Sequence, residues 1–306
     1  MAIDPQRLIN SRVGIRLVGI LARTIPPRLG YACADFIADR IVSRRNSRIV
    51  RAVRANQRVV RGEGVRDAEL EQAVGEVFHN SARSIFELYR GIQYPQEAWE
   101  SIVMDPSAGF LLHRPEYAAR GLVVVSLHLG NFDLILHTLS RRGIRPLVLT
   151  IPDPRGGRFL EFQSRKKSGA NMLPGSFGAI RKAVRHLQRG GYVATGIDRP
   201  VSQPRWRPRF FGRPASLPLH HIFLAIQARV PVTVLATIRR PDGKHLVFAS
   251  PEMEMEPHPD RETEILLNAE RVLQTAEEFI RRAPAQWSES LPVWPERTER
   301  VPKSAR

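Results

Sequence analysis

The sequence predicts an α/β fold in which a mixed, mostly parallel sheet is flanked by helices and preceded by an N-terminal helical cap. From Gly121 onward, short apolar runs rich in β-branched residues alternate with amphipathic helical segments, the order that builds parallel strands with helical crossovers. The first hundred residues instead repeat apolar side chains at helical spacing and show no strand pattern. With 306 residues, 42% hydrophobic and 25% charged, the chain can bury a full core.

Residues 1–25 are predicted to form an amphipathic helix. Between Leu8 and Ile25, apolar residues recur at i, i+4, i+7 and i+8, while arginines fall on another face (apolar: Val13, Leu17, Ile20, Leu21; basic: Arg12, Arg16, Arg23). A helix of this kind can lie in a membrane interface. An ordinary surface helix packed on the core fits the same pattern, and both interpretations remain open.

Residues 26–105 are predicted to be a helical cap on the domain that follows. An apolar helix is expected at Leu29 to Val42 after the Pro26-Pro27 break, and a strongly amphipathic helix at Asp67 to Arg90. Between them, Ser43 to Arg61 carries seven arginines. That segment could contact anionic head groups or be a solvated face.

Residues 106–295 are predicted to be the α/β domain, with residues 296–306 as a loose tail. The expected strands and helices alternate from Leu122 to Arg282 (strands Leu122 to Leu127, Pro146 to Thr150, Asn171 to Leu173, Tyr192 to Ile197, Pro231 to Arg239, His245 to Ser250; helices Phe132 to Arg141, Arg158 to Ser168, Phe177 to Gln188, Leu219 to Ala228, Thr263 to Arg282). An irregular stretch is expected at Ser202 to Pro218.

The formal net charge of +17 indicates an anionic partner, either nucleic acid or an anionic membrane surface. No zinc-ligand spacing, RNA-binding aromatic signature or basic-region heptad accompanies it, so no specific nucleic-acid module is expected. An arginine-rich surface without a partner is the third interpretation. The single cysteine, Cys33, excludes an intramolecular disulfide. No cleavable signal and no run of 18 uncharged apolar residues is apparent, so a spanning helix is not expected.

Polar residues follow two of the predicted strands. His128, Asn131 and Asp133 follow the first, and Asp198 and Arg199 follow another. Ligands bind beyond the carboxyl ends of strands in open α/β sheets, and a histidine with a carboxylate has the parts of a general base and its orienter. Taken alone, such a pair is more often structural.

The motif His128-Leu-Gly-Asn-Phe-Asp133 resembles the histidine, four residues, aspartate motif of the lysophospholipid acyltransferase superfamily. The chain is most similar in pattern to bacterial lipid A lauroyl/myristoyl acyltransferases and phosphatidylinositol mannoside acyltransferases. An ordered series of further matches extends over roughly residues 40 to 295 (Arg165 before Gly169, Asp198-Arg199-Pro200, Phe210-Phe211-Gly212, Ala215 to Pro218, Val230-Pro231 leading to Arg239, Ala283 to Trp287). Leu291-Pro292-Val293-Trp294 looks more like the mannoside-acylating branch.

The chain departs from the family pattern at two places. Thr150 to Asp153 stands where members often carry a carboxylate, and His220-His221 replaces small residues after the Leu-Pro pair. No third ligand has metal spacing with these histidines, so no metal site is expected.

The resemblance implies a glycerol-phosphate-acyltransferase-like fold and transfer of an acyl chain from acyl-CoA or acyl-carrier protein to a hydroxyl of a glycolipid or phospholipid. In this interpretation His128 is the general base, Asp133 orients its ring, and Asp198 binds the acceptor sugar or helps to orient His128. The glycine-turn amides or Arg199 would stabilise the oxyanion. The substrate-binding set implied by the motifs is Asn131, Arg165, Asp198, Arg199, Phe211, Gly212 and Arg239.

The resemblance implies no metal or organic cofactor. It implies a protein peripheral to the cytoplasmic face of the inner membrane, where the anionic surface meets the basic chain. Two other functions are compatible with the sequence: a lysophospholipid or glycerol-phosphate acyltransferase with another acceptor, and a non-catalytic basic protein that binds membranes or nucleic acid.

Overall fold

The computed structural model describes residues 12–112, 120–150 and 157–298, without the side chains of residues 12–17 and 157–161. Helices precede the sheet and then alternate with its strands (α1 Arg12–Thr24, α2 Pro27–Val42, α3 Arg48–Arg61, α4 Asp67–Gln93, α5 Pro95–Glu100, α6 Phe132–Arg141, α7 Gly157–Lys167, α8 Phe177–Gln188, α9 His220–Ala228, α10 Arg261–Arg282). The beginning of the predicted first helix, the segment containing Asp153 and most of the predicted tail lie outside the described residues.

The main sheet of the described residues has seven strands in the order β1-β9-β8-β2-β5-β3-β4 (β1 Ile102–Met104, β2 Leu122–Ser126, β3 Leu147–Thr150, β4 Asn171–Pro174, β5 Tyr192–Gly196, β8 Val232–Arg239, β9 His245–Ala249). All neighbours pair in parallel except β8 and β9, which are antiparallel. The prediction of a mixed, mostly parallel sheet with flanking helices and an N-terminal helical region is confirmed. Strand β1 was not predicted, and it occupies the last residues of the expected cap.

Both faces of the sheet are covered, which explains why its central strand reads as a continuous apolar run. On one face, Val123 and Val125 of β2 pack in the core formed with α8, α9 and α10. On the other face lie α6 and the 3-10 helix at Pro106–Leu111, which contribute Ile135 and Leu111. The space between α6 and the sheet is only partly filled, and this is where the cavity described below lies.

The helical cap is packed closely within itself. Gly30 of α2 allows the approach of α4, since a Cβ at this position would lie 2.0 Å from the ring of Phe86. Ion pairs also join the helices: Arg83 of α4 pairs with Asp35 of α2, and Arg54 of α3 pairs with Glu71 of α4.

Buried amides of the cap hold the C-terminal segment in place. The Nδ2 of Asn56 donates to the carbonyls of Glu289 (3.0 Å) and Leu291 (2.9 Å), and its Oδ1 accepts from the N–H of Val293 (3.0 Å). The side chain of Gln57 donates to the carbonyl of Pro284 (2.8 Å). Residues 284–294 are thereby fixed between the cap and the end of β2.

The stretch predicted to be irregular contains a short hairpin, β6 (Arg209–Phe210) paired with β7 (Arg213–Pro214). Its two turn residues, Phe211 and Gly212, have φ of 51° and 71°. Positive φ at both central positions is the geometry of a type I′ turn, which matches the twist of a two-residue hairpin. Such a short hairpin leaves almost no strand periodicity to detect in the sequence.

Candidate active site

Strand register brings His128 and Asp198 together. Strands β2 and β5 are parallel neighbours, and Ser126 is aligned with Gly196. His128 and Asp198 each lie two residues beyond these partners, so they leave the sheet side by side. The Nδ1 of His128 lies 2.7 Å from Oδ1 of Asp198.

Asp198 is fully buried and has three donors. Its Oδ1 faces the His128 ring, and its Oδ2 accepts from the His128 backbone N–H (2.7 Å) and from Nε1–H of Trp287 (2.8 Å). Burial by itself would raise the pKa of Asp198, but the facing imidazole of His128 and the hydrogen bonds from His128 and Trp287 hold the pKa below its usual value. An ionised carboxylate at this position requires a proton on Nδ1 of His128, which leaves the lone pair on Nε2.

The His128 ring lies at the mouth of a cavity, with 15% of its side chain exposed. The edge of Phe132 packs against it, with ring centroids 4.9 Å apart. Beneath it is Gly196, where a Cβ would lie 3.7 Å from Cε1 of His128. The imidazole is therefore fixed on its Nδ1 side and accessible from the cavity.

The turn after His128 requires glycine. Gly130 has φ of +60°, and a Cβ there would lie 2.3 Å from the carbonyl oxygen of Thr237. The N–H of Gly130 donates to the carbonyl of Gln286 (3.0 Å), and the His128 carbonyl accepts from the N–H of Ser288 (2.8 Å). The turn is thus bound on one side to β8 and on the other to residues 286–288.

Asp133 does not occupy the position expected from the sequence. It is the second residue of α6, and its Oδ1 accepts from Nε (2.8 Å) and Nη2 (2.6 Å) of Arg165 on α7. The side chain on Nδ1 of His128 is Asp198. The expectation that Asp133 orients the ring is therefore replaced by an Asp133–Arg165 pair, because α6 has already begun at residue 132 and carries this side chain toward α7. Arg165 lines the cavity.

Asn131 and Arg239, expected to bind substrate, meet instead at a buried carboxylate, Glu87. Asn131 Nδ2 donates to Glu87 Oε2 (3.1 Å), and Arg239 Nε donates to Oε1 (2.8 Å). The Oδ1 of Asn131 caps α6 by accepting from the N–H of Leu134 (3.3 Å). Neither side chain lines the cavity, and their contacts join the cap to the sheet.

Phe211 and Gly212, also expected to bind substrate, form the hairpin turn and do not line the cavity. The N–H of Phe211 donates to Glu277 of α10 (2.5 Å), and its ring centroid lies 6.5 Å from that of Trp287. The hairpin supports Trp287, which in turn donates to Asp198. Its influence on the site is therefore indirect.

Arg199 lies at the cavity mouth beside a carboxylate that none of the sequence motifs indicates. Its Nε donates to Oε2 of Glu289 (3.2 Å), and the same oxygen lies 3.8 Å from Nδ1 of His128. A single acid between two buried tryptophans, Trp287 and Trp294, is the sequence signal that could have identified Glu289.

The cavity has a volume of about 540 Å³ and runs from His128 along the sheet beneath α6. Its walls are mostly apolar (from α6 Phe132, Ile135, Leu136 and Leu139; from the strands Val124, Val148, Ala194, Leu235 and Val247). Tyr192 and Gly196 line it at opposite ends of β5, about 13 Å apart at the usual rise per strand residue. A long apolar space that opens at a histidine suits a hydrocarbon chain whose head group reacts at the mouth.

A family model described as bacterial lipid A biosynthesis acyltransferase matches residues 5–294 of the chain. No curated protein matches the chain. The matched region includes the cap, the sheet and the segment that carries Trp287 and Glu289.

Proposed function

Since this chain belongs to the bacterial lipid A biosynthesis acyltransferase family, which consists of enzymes that transfer acyl groups, we propose that His128 is the general base of the transfer. A glycolipid acceptor supplies the hydroxyl and an acyl thioester, acyl-CoA or acyl-carrier protein, supplies the chain. The observation that carries the proposal is the His128–Asp198 pair at the mouth of an apolar cavity.

The chemistry follows from the state of the imidazole. Nε2 of His128 accepts the hydroxyl proton as the acceptor oxygen attacks the thioester carbon, and Asp198 stabilises the imidazolium. Collapse of the tetrahedral intermediate breaks the C–S bond, and the proton passes to the leaving thiolate. Transfer is direct, with no acyl-enzyme.

Arg199 is the proposed oxyanion donor. The backbone N–H groups of His128 and Gly130 already donate to Asp198 and Gln286, which argues against the glycine-turn alternative. Among the described residues Arg199 binds only Glu289, through Nε, so its two Nη groups can donate to the substrate. A charged donor at this position also suits the phosphates of the donor or acceptor.

The cavity is proposed to hold the acyl chain. An all-trans hydrocarbon advances about 1.25 Å per carbon, because its bonds are about 1.5 Å long and meet at near-tetrahedral angles. The stretch of β5 that lines the cavity therefore accommodates about ten carbons in extended form. Arg165, held by Asp133, lies beside this path.

The acceptor belongs to one of two glycolipid classes. The family match supports a lipid A-like acceptor, and the Leu291 to Trp294 pattern supports a phosphatidylinositol mannoside. Purified protein offered both acceptors with the same labelled donor distinguishes them, because each product has its own mass.

The experiment that tests the function compares wild type with His128→Ala. Protein is supplied with a labelled acyl thioester and vesicles that contain the acceptor, and both acylated lipid and free fatty acid are measured. We expect His128→Ala to reduce transfer by about 100- to 10,000-fold, the usual contribution of a general base. The matched control is His258→Ala, on an exposed histidine, which should keep wild-type activity. An active His128→Ala contradicts the assignment, and release of free fatty acid alone indicates hydrolysis.

The proposed membrane contact is made by α1 and α2. The family is membrane-associated in general, and within the described residues no helix combines the length and apolarity that crossing a bilayer requires. Ile20, Leu29 and Phe36 are large apolar side chains exposed by 58–60%. Exposed arginines accompany them, with Arg40 4.9 Å from the centre of the Phe36 ring. Helix α1 also contacts α7, so this surface adjoins the helix of Arg165.

A vesicle-binding measurement tests this surface. The double variant Leu29→Ser, Phe36→Ser should bind vesicles of anionic phospholipid roughly 10- to 100-fold more weakly, because two apolar side chains no longer enter the interface. Wild-type binding should fall as salt rises. Leu267→Ser, an exposed leucine on α10, is the control and should bind as wild type. Equal binding by all three proteins would exclude α2 as the contact.

A further inference from the structure

A second carboxylate, Glu289, lies beside the proposed base. Its side chain is 0% exposed, and its Oε2 is 3.8 Å from Nδ1 of His128. Asp198 lies on the same nitrogen at 2.7 Å. Two carboxylates therefore face one imidazole nitrogen, which is more negative charge than orientation of the ring requires.

Glu289 is held rigidly. Oε2 accepts from Nε of Arg199 (3.2 Å), Oε1 accepts from the N–H of Leu291 (2.6 Å), and the Glu289 carbonyl accepts from Asn56 of the cap. Its side chain cannot turn away from His128 without losing these bonds. Through this last hydrogen bond, the helical cap helps to hold Glu289 beside His128.

The charges of the cluster are complementary to a protonated His128. Among the described residues, the carboxylates of Asp198 and Glu289 face the ring and Arg199 pairs with Glu289, while Phe132 of α6 and Gly196 of β5 are uncharged neighbours of the ring. With a neutral imidazole the cluster carries one net negative charge, and with an imidazolium it is neutral. The second charged pair on the cavity side, Asp133 with Arg165, is neutral as a unit. Proton transfer to Nε2 therefore removes net charge from the buried cluster, whereas without Glu289 it would create a net positive charge there.

We propose that Glu289 is a positioning residue that stabilises the imidazolium formed when the acceptor hydroxyl gives its proton to Nε2 of His128, and that it holds Arg199 at the cavity mouth. The role rests on the proposed function. Glu289 does not line the cavity, and the bonds that form and break are those of the transfer itself.

The test measures His128 directly by NMR titration of protein labelled in its histidine rings, with the signal assigned by its loss in His128→Ala. Glu289→Gln removes an anion and should lower the midpoint of the His128 titration by about one pH unit, whereas Arg199→Gln removes a cation and should raise it by a similar amount. Opposite shifts from two neighbouring variants would not arise from general loosening of the site. Glu71→Gln, which removes the carboxylate of a distant arginine pair in the cap, is the control and should titrate as wild type.

Kinetics provide the second readout. The acidic limb of the pH profile of kcat/KM should move with the NMR midpoint in each variant, and kcat of Glu289→Gln should fall about tenfold on the plateau. Wild-type titration of His128 in Glu289→Gln, or shifts of both variants in one direction, overturns the inference. If Glu289→Gln does not fold, Glu289→Asp decides instead: it keeps the anion but draws it back from the ring, so it should lower the midpoint by less than one pH unit, and an unchanged midpoint overturns the inference. If the two variants show the expected opposite shifts but the wild-type protein acylates no lipid, the result would instead reject the proposed function.

Discussion

Asp198 is the second residue whose replacement should nearly abolish transfer. Asp198→Asn keeps the shape of the side chain but can donate to Nδ1, which would favour the wrong tautomer of His128. We expect kcat to fall by about three to four orders of magnitude, as in other histidine–carboxylate pairs. Because the pKa of Asp198 is held below its usual value by His128 and Trp287 despite burial, its protonation should not limit activity near neutral pH. The measurement is single-turnover transfer at saturating donor.

Asp133→Asn is the matched comparison for Asp198→Asn. It weakens the ion pair with Arg165 and leaves the His128–Asp198 contact in place, so we expect a loss of about tenfold, mainly in KM. If Asp133→Asn is as inactive as Asp198→Asn, then Asp133 acts on the histidine during turnover, as the sequence motif suggests. A fully active Asp198→Asn would remove Asp198 from the mechanism.

Strand β5 determines how far the acyl chain can extend. Ala194 lies on it midway between Tyr192 and Gly196, and all three line the cavity. Ala194→Phe should fill the space roughly 6 to 7 Å below the mouth, so the variant should prefer donors several carbons shorter than wild type does. The measurement is kcat/KM over a series of acyl thioesters of increasing length. An unchanged optimum would place the chain elsewhere.

The elements also explain what the sequence could predict. The strands β2, β5 and β8 were expected because each is a short apolar run that ends at a turn signal, and the helices because their apolar stripes face the sheet. Strand β1 was missed because its three residues, Ile102–Met104, are too few to show the alternating pattern of a strand. The pairing of His128 with Asp198 spans 70 residues and depends on strand order, which periodicity does not contain. Asp133 was expected to orient His128 because it is close to it in sequence. Helix α6, however, begins at Phe132 and directs the Asp133 side chain toward Arg165.

At the scale of the whole molecule, the site is assembled from three separate parts of the chain. The sheet supplies His128 and Asp198, the C-terminal segment supplies Trp287 and Glu289, and the cap holds that segment through Asn56. Two residues expected to bind substrate, Asn131 and Arg239, instead join the cap to the sheet through Glu87. The active site therefore forms only when the cap is folded against the C-terminal segment. Global stability and activity should be lost together.

Global stability should decrease on acidification through buried histidines. Burial lowers the pKa of His137 to about 4, and burial with the neighbouring His220 lowers that of His221 well below the usual value. Between about pH 6.5 and 4 the unfolded chain binds protons that these folded histidines cannot, so the free energy of unfolding must fall as the pH falls. At about pH 5, His137 alone should account for roughly 2 kcal/mol.

Urea unfolding at about pH 7.5 and pH 5 measures this loss. His137→Leu should remove part of the difference, because leucine has no proton to bind, and it should fold stably, because Nδ1 of the buried His137 has no hydrogen-bond partner within the described residues. His258→Asn, on an exposed histidine, should leave the difference unchanged. The Asp198 carboxylate adds a separate loss only at lower pH, below the usual carboxyl range, because its folded pKa is depressed. If His137→Leu unfolds with the full wild-type difference, the acid sensitivity arises from another group, and His221→Leu then tests the second buried ring.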